Sequence, residues 1–218
     1  MLSRVYSLFF LVLRTSCSLF QSQNIQNEKV ETLINYIEGE GEGRGRLGIN
    51  QHQYLISYEA VLKENHDWIL AASIPLHGEE VLLLRDLKQE TLPESNEGLE
   101  LRIQQGINDY LRSQNQSPEL SRTFLVEFRR LMRMVFYKEL GLRLDCQSNQ
   151  CRLDGSVYQV EATDKQITLK KSLSEDYEIE FVATNLTDSI FKRSNVFLHS
   201  KNKSPSSTPL LSLELFWK

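Results

Sequence analysis

The sequence predicts an α+β fold, an antiparallel sheet of about 10–11 strands with one face covered by about three helices. Three observations predict it. Tyr54, Ile56, Tyr58, Ala60 and Leu62 place an apolar side chain at every second position, the spacing of a strand with one covered face. Between Leu99 and Phe136 the apolar residues recur every third and fourth position instead, as on helices. From Leu142 to Trp217 alternation returns, as in Tyr177, Ile179, Phe181 and Ala183 and in Leu211, Leu213, Leu215 and Trp217. With 40% hydrophobic and 25% charged residues the chain has material for a core, which excludes wholesale disorder. Nothing in the 218 residues reads as an interdomain linker, so one folded domain over residues 28–218 is expected. The net charge of −4 and the scattered basic residues argue against a dedicated nucleic-acid binder, which needs a concentrated basic face.

Residues 1–16 read as a signal peptide. Arg4 precedes the apolar run Val5 to Leu13, too short to span a bilayer but long enough for a signal-peptide core. Arg14-Thr15-Ser16-Cys17 resembles a bacterial lipobox, in which the cysteine is lipidated and becomes the mature N-terminus; Arg14 stands where that motif usually has leucine. Lipidation at Cys17 is therefore expected, with cleavage alone as the alternative, and residues 17–27 form the lipidated terminus and a polar tether. Asn27 is placed to cap a helix whose face carries Val30, Leu33, Ile34 and Ile37. Glu38-Gly39-Glu40-Gly41 ends that helix and leads into the first strand. Its Gly/Glu/Arg alternation is not a phosphate loop, because the Lys-Ser/Thr pair is missing and its carboxylates repel phosphate.

The strands that follow are separated by short loops, which implies an antiparallel meander. A polar turn at Glu64 to Asp67 leads to a run starting at Trp68, which stops at Ile74-Pro75-Leu76-His77-Gly78 and restarts as Val81 to Leu84. Leu76 stands after a proline at a loop tip that is normally polar.

Lys88 to Glu97, with Pro93, is a connecting loop. Leu99, Ile103, Ile107, Tyr110 and Leu111 then form a helical stripe running to Arg112. Ser117-Pro118-Glu119 is a start signal for the next helix, with serine as cap and proline in the first turn. Its apolar face is Leu120, Phe124, Leu125, Phe128, Leu131, Met132, Val135 and Phe136, and Gly141 lies just past its end. Arg129, Arg130 and Arg133 are expected on the solvated side of this helix, with an anion site as the alternative.

The remaining strands are expected at 142–144, 157–160, 167–169, 177–183, 196–199 and 211–217, with Lys201 to Pro209 as a loop. Cys146 and Cys151 flank Gln147 to Gln150, a spacing that suits a hairpin whose opposed strands bring the cysteines together in an oxidising compartment. Either a disulfide or two free thiols fits that spacing; no second ligand pair supports a zinc site.

"GRGRLGI", a strand with aromatics, a tryptophan-led strand closing in Pro-Leu, then Gly-x-Glu and an aliphatic strand make a pattern over Gly43 to Leu87. This pattern, with the ending "LLSLELFWK", resembles the outer-membrane lipoprotein receptor LolB and its periplasmic carrier relative LolA. His77 is one extra residue between the Pro-Leu and the glycine, so the loop geometry does not carry over unmodified. The resemblance implies a half-barrel with a pocket that accepts lipoprotein acyl chains from a LolA-like carrier and helps insert them into the outer membrane. It implies a bacterial, lipid-anchored, periplasm-facing protein working as a monomer, and a protruding leucine, here Leu76 after Pro75, that assists insertion. The alternative role of Leu76 is to pack beneath the strand corner.

Incomplete helical cover leaves a cavity lined by side chains such as Tyr54, Tyr58, Leu70 and Phe128; for each of these a place in the filled core is equally expected. No catalytic, metal or cofactor site is expected. His52, His66, His77 and His199 are isolated, and neither HExxH spacing nor a GxSxG elbow is present. The other class of function is a half-barrel lipoprotein that holds a lipid as a sensor, or binds a protein as a scaffold, without delivering cargo.

Overall fold

The computed structural model describes residues 40–49, 52–62, 68–74, 78–84, 99–117, 119–136, 142–147, 149–185, 192–202 and 209–217. The first four strands are β1 (Glu40–Ile49), β2 (His52–Leu62), β3 (Trp68–Ile74) and β4 (Gly78–Leu84). Two helices follow, α1 (Leu99–Ser113) and α2 (Glu119–Met132), the second continued by a 3-10 turn over Arg133–Phe136. Seven strands complete the fold: β5 (Asp145–Gln147), β6 (Gln150–Leu153), β7 (Ser156–Ala162), β8 (Gln166–Ser172), β9 (Tyr177–Asn185), β10 (Lys192–Ser200) and β11 (Leu211–Trp217).

All eleven strands join one antiparallel sheet in the order β4-β3-β2-β1-β11-β10-β9-β8-β7-β6-β5. The first and last strands of the chain therefore meet in the middle, with Leu47 opposite Leu213 and Gly43 opposite Trp217. Among the described residues β4 and β5 are the edges, so the sheet is open, and the helices enter the chain between those edges. This is an α+β fold with the expected number of strands. The third expected helix, over Asn27 to Ile37, lies outside the described residues.

Alternation decides which face is covered. On β2, Ile56, Tyr58 and Ala60 are buried while Leu55, just before them on the opposite face, is 68% exposed. On β9 and β11 the alternating sets Tyr177, Ile179, Phe181, Ala183 and Leu211, Leu213, Leu215 are all buried. Register carries these residues into shared inner rows, such as Leu169 beside Phe181 beside Val196 beside Leu213. The opposite face carries cross-strand ion pairs, including Arg193–Glu214 at 3.4 Å and Lys170–Glu180 at 3.6 Å. There the Glu180 carboxyl is held below its ordinary range, first by a hydrogen bond with His199 and also by Lys170, against the opposing effect of burial.

The helices cover different parts of the inner face: α1 packs on β1 and β4, and α2 on β9 and β10. Ile103, Ile107 and Leu111 of α1 and Phe124, Leu125, Phe128, Leu131 and Met132 of α2 are buried in one continuous core with the strands. Between the helices Asn115 takes a left-handed conformation (φ 55°), and Gln116 N–H donates to Leu111 O at 2.8 Å, closing α1. Ser117 Oγ accepts from Glu119 N–H at 3.2 Å, the expected cap of α2.

Three expectations are corrected. Residues 142–144 are not a strand; pairing begins at Asp145, because alternation marks a buried face (Leu142 and Leu144 are buried) without supplying a partner strand. The α-helix ends at Met132, and its apolar continuation tightens into the 3-10 turn. Arg129, Arg130 and Arg133 are not on a solvated face. Arg129 is buried, Arg130 pairs with Glu127, and Arg133 pairs with Asp154 of the β6–β7 turn.

Cys146 and Cys151 stand directly opposite each other on β5 and β6 with their sulfurs bonded and both side chains buried. Closing so short a loop stabilises the fold by about 2 kcal/mol in the chain-entropy account. The next hairpin turns on Asp154-Gly155, both at positive φ (47° and 78°), the two-residue turn whose twist matches the strands and which glycine enters without penalty.

The glycines of "GRGRLG" have a packing role. Gly43 and Gly45 face inward and Arg44 and Arg46 outward, by their register with Tyr58, Ile56, Ser57 and Leu55. The Tyr58 ring crosses β1 over Gly43 and its hydroxyl donates to Phe216 O on β11 at 2.5 Å. A Cβ on Gly43 would stand 2.5 Å from Tyr58 Oη and would overlap the Phe216 carbonyl. Gly43→Ala is expected to lower stability by about 1–3 kcal/mol. A shift in the urea midpoint at unchanged m-value checks it; an unchanged midpoint would mean that β1 yields without cost.

Candidate functional site

The residues singled out in the sequence fall into two groups. Tyr54 is half-buried and Tyr58 buried on the inner face of β2, and Phe128 is fully buried on α2, all within or against one core. Burial keeps the Tyr58 hydroxyl well above its ordinary titration range. Leu70 pairs with Ala60 across β2 and β3, while its side chain, like Cys17, Pro75 and Leu76, lies outside the described residues. Tyr177 of β9, packed beside Tyr110 of α1, is pushed up to about 12 by burial first and then by Tyr110.

A polar cluster not expected from the sequence lies where α2 meets β7 and β8. Glu127 interrupts the apolar stripe of α2, and only 5% of it is exposed. Opposite it, the inward row of β7 carries Ser156 and Tyr158, and that of β8 carries Lys171 after Ile167 and Leu169. The Glu127 carboxylate accepts from Lys171 Nζ at 2.6 Å, Arg130 Nη1 at 2.6 Å, Ser156 Oγ at 3.1 Å, and the Tyr158 hydroxyl. Lys171 Nζ also donates to Ser156 Oγ and stands 5.8 Å from the centre of the Tyr158 ring.

The electrostatics follow from this geometry. Burial alone would raise the Glu127 carboxyl; the hydrogen bonds from Lys171, Tyr158 and Arg130, with the Arg130 charge, outweigh it and hold the group below its ordinary value of 4.5. Burial, reinforced by the Glu127 charge, drives the Tyr158 hydroxyl far above its usual range, so it stays a neutral donor. Arg133 Nη1 donates to Asp154 Oδ2 at 2.6 Å and forms a second, self-neutralised pair beside the cluster.

Chemically, the cluster bonds a helix to two strands and holds two cations around one anion. The Ser156–Lys171 contact has the residue types of a nucleophile and its base. In this geometry, however, Lys171 Nζ donates to Ser156 Oγ and to Glu127, and the serine hydroxyl is directed to the Glu127 carboxylate rather than to the lysine. Among the described residues no three His, Cys, Asp or Glu side chains gather into a metal-binding group.

Two sequence signals point to this cluster: an acidic residue within an apolar helical stripe, and a lysine continuing the inward alternation Ile167, Leu169. Opposite charges at such positions mark a buried pair, but only the fold brings residues 127 and 171 together. No protein-family model matches this chain, and no curated protein and no solved structure matches it.

Proposed function

We propose that the protein is a lipid-anchored receptor of the bacterial outer membrane that takes lipoproteins from a LolA-like periplasmic carrier and inserts them into the membrane. The reading is carried by one observation: an open antiparallel sheet of eleven described strands whose inner face is apolar apart from the polar cluster on β7 and β8, with the helices entering the chain between the two edge strands. In this proposal the sheet is a half-barrel, and the helices cover a cavity that receives acyl chains, with Tyr54, Tyr58, Leu70 and Phe128 about its wall. Moving a C16 chain from membrane to water costs on the order of 12 kcal/mol at roughly 0.8 kcal/mol per methylene, so extraction requires such a receptacle. Delivery requires intermediate affinity and no covalent step.

Leu76, after Pro75, is the proposed membrane-inserting residue; a leucine entering a bilayer gains roughly 1.5–3 kcal/mol, enough to bias docking but not to anchor the protein. Leu76→Glu is expected to leave the unfolding transition unchanged and to abolish onward transfer. The test loads a periplasmic carrier with labelled lipoprotein, adds the protein, and follows label to it and then to liposomes. Normal transfer by L76E would remove Leu76 from the mechanism, and no uptake by the unaltered protein would overturn the receptor reading.

A second reading, a half-barrel lipoprotein that retains a lipid as a sensor, is favoured by the cationic cluster at Lys171 and Arg130. Stable uptake without delivery in the same assay would select it.

A further inference from the structure

Lys171 Nζ and Arg130 Nη1 each lie 2.6 Å from the same Glu127 oxygen, so two cations stand side by side and share one carboxylate. That trio carries one surplus positive charge. Arg133 does not change the balance, because Asp154 neutralises it. The surplus is accessible: the Lys171 side chain is 28% exposed and that of Arg130 is 16% exposed, whereas that of Glu127 is 6% exposed. Arg130 Nε is buried with no hydrogen-bond acceptor. Beneath these polar atoms the packing is apolar: Ile179, beside Lys171 in the inner row, and Phe128, next to Glu127 on α2, are both fully buried.

A partly buried, uncompensated cation costs free energy unless an anion joins it, and a buried N–H donor takes an acceptor when one is offered. A planar guanidinium and an ammonium together suit a small oxyanion, the first by paired N–H donors and the second as a point charge. We propose that Lys171 and Arg130 form the headgroup site for an acidic amphiphile, whose carboxylate or phosphate binds these two cations while its acyl chain lies along the apolar inner face. The site rests on the reading that the inner face receives acyl chains, and it gives that ligand a headgroup chemistry.

The test titrates the full chain with dodecanoate, dodecyl phosphate and dodecanol, which share one tail, by calorimetry below their micellar concentrations. Both anions, or one of them, should bind at least about tenfold more tightly than the alcohol, and the advantage should shrink as salt is raised. A preference for dodecanoate indicates a fatty-acid type of ligand, and a preference for dodecyl phosphate a phospholipid type. Lys171→Gln should bring anion and alcohol affinities together while leaving dodecanol binding as it was; the salt series on the unaltered protein serves if that variant does not fold. Equal binding of all three compounds would overturn the headgroup site and leave the apolar receptacle standing. An anion preference insensitive to both salt and K171Q would also overturn it, and no binding of any compound would overturn both readings.

Discussion

Glu127→Ala is expected to lower the unfolding free energy by about 3–5 kcal/mol, the cost of leaving partly buried cations without their anion. Lys171 and Arg130 would lose their shared acceptor, and Ser156 and Tyr158 would lose a hydrogen-bond acceptor in a buried place. Chemical denaturation with and without the substitution measures the loss; a change below about 1 kcal/mol would mean that solvent replaces the carboxylate freely. The pH dependence has a definite sign. The Glu127 carboxyl is held below its ordinary value of 4.5 in the folded chain, so the unfolded chain binds its proton more readily. The stabilisation is complete above the unfolded value and is lost as pH falls through the folded one. The unaltered protein should therefore weaken on acidification below about pH 4.5, and Glu127→Gln, already weaker at neutral pH, should show a smaller loss there.

Phe128→Ala is expected to cost about 3–5 kcal/mol, as for other buried aromatic truncations. Phe128 is fully buried, and its ring stacks on Phe124 with the centroids 5.6 Å apart. The measurement also bears on the proposed receptacle. A ring packed in a filled core shows the full cost, whereas a ring lining an accessible space leaves little new void when removed. A loss below about 1 kcal/mol, with tighter uptake of a long acyl chain, would place Phe128 on a cavity wall; the full loss would place the receptacle elsewhere on the inner face.

The covered face of each long strand was legible because alternation is a local property. Tyr58 and Leu213 point inward because the pleat leaves no other choice once their neighbours are polar. The cap at Ser117 was legible for the same reason, since donor and acceptor lie within one turn. Alternation misled at 142–144, where a buried face exists without a paired strand. Asp154-Gly155 carries a hairpin signal in plain view, and it is this turn that brings Asp154 to Arg133.

By itself the sequence determined the class of the fold and the faces that its long strands bury, because periods of two and of three to four are written in neighbouring residues. Strand order, the meeting of β1 with β11, and the gathering of Glu127, Ser156, Tyr158 and Lys171 were decided only by tertiary structure. Those pairings join residues far apart in the chain, and their free energy depends on burial and on partners that no local pattern specifies. Arg129, Arg130 and Arg133 show the difference: spacing alone assigned them to solvent, and two carboxylates, one three residues away and the other 21, drew Arg130 and Arg133 into the packed interface.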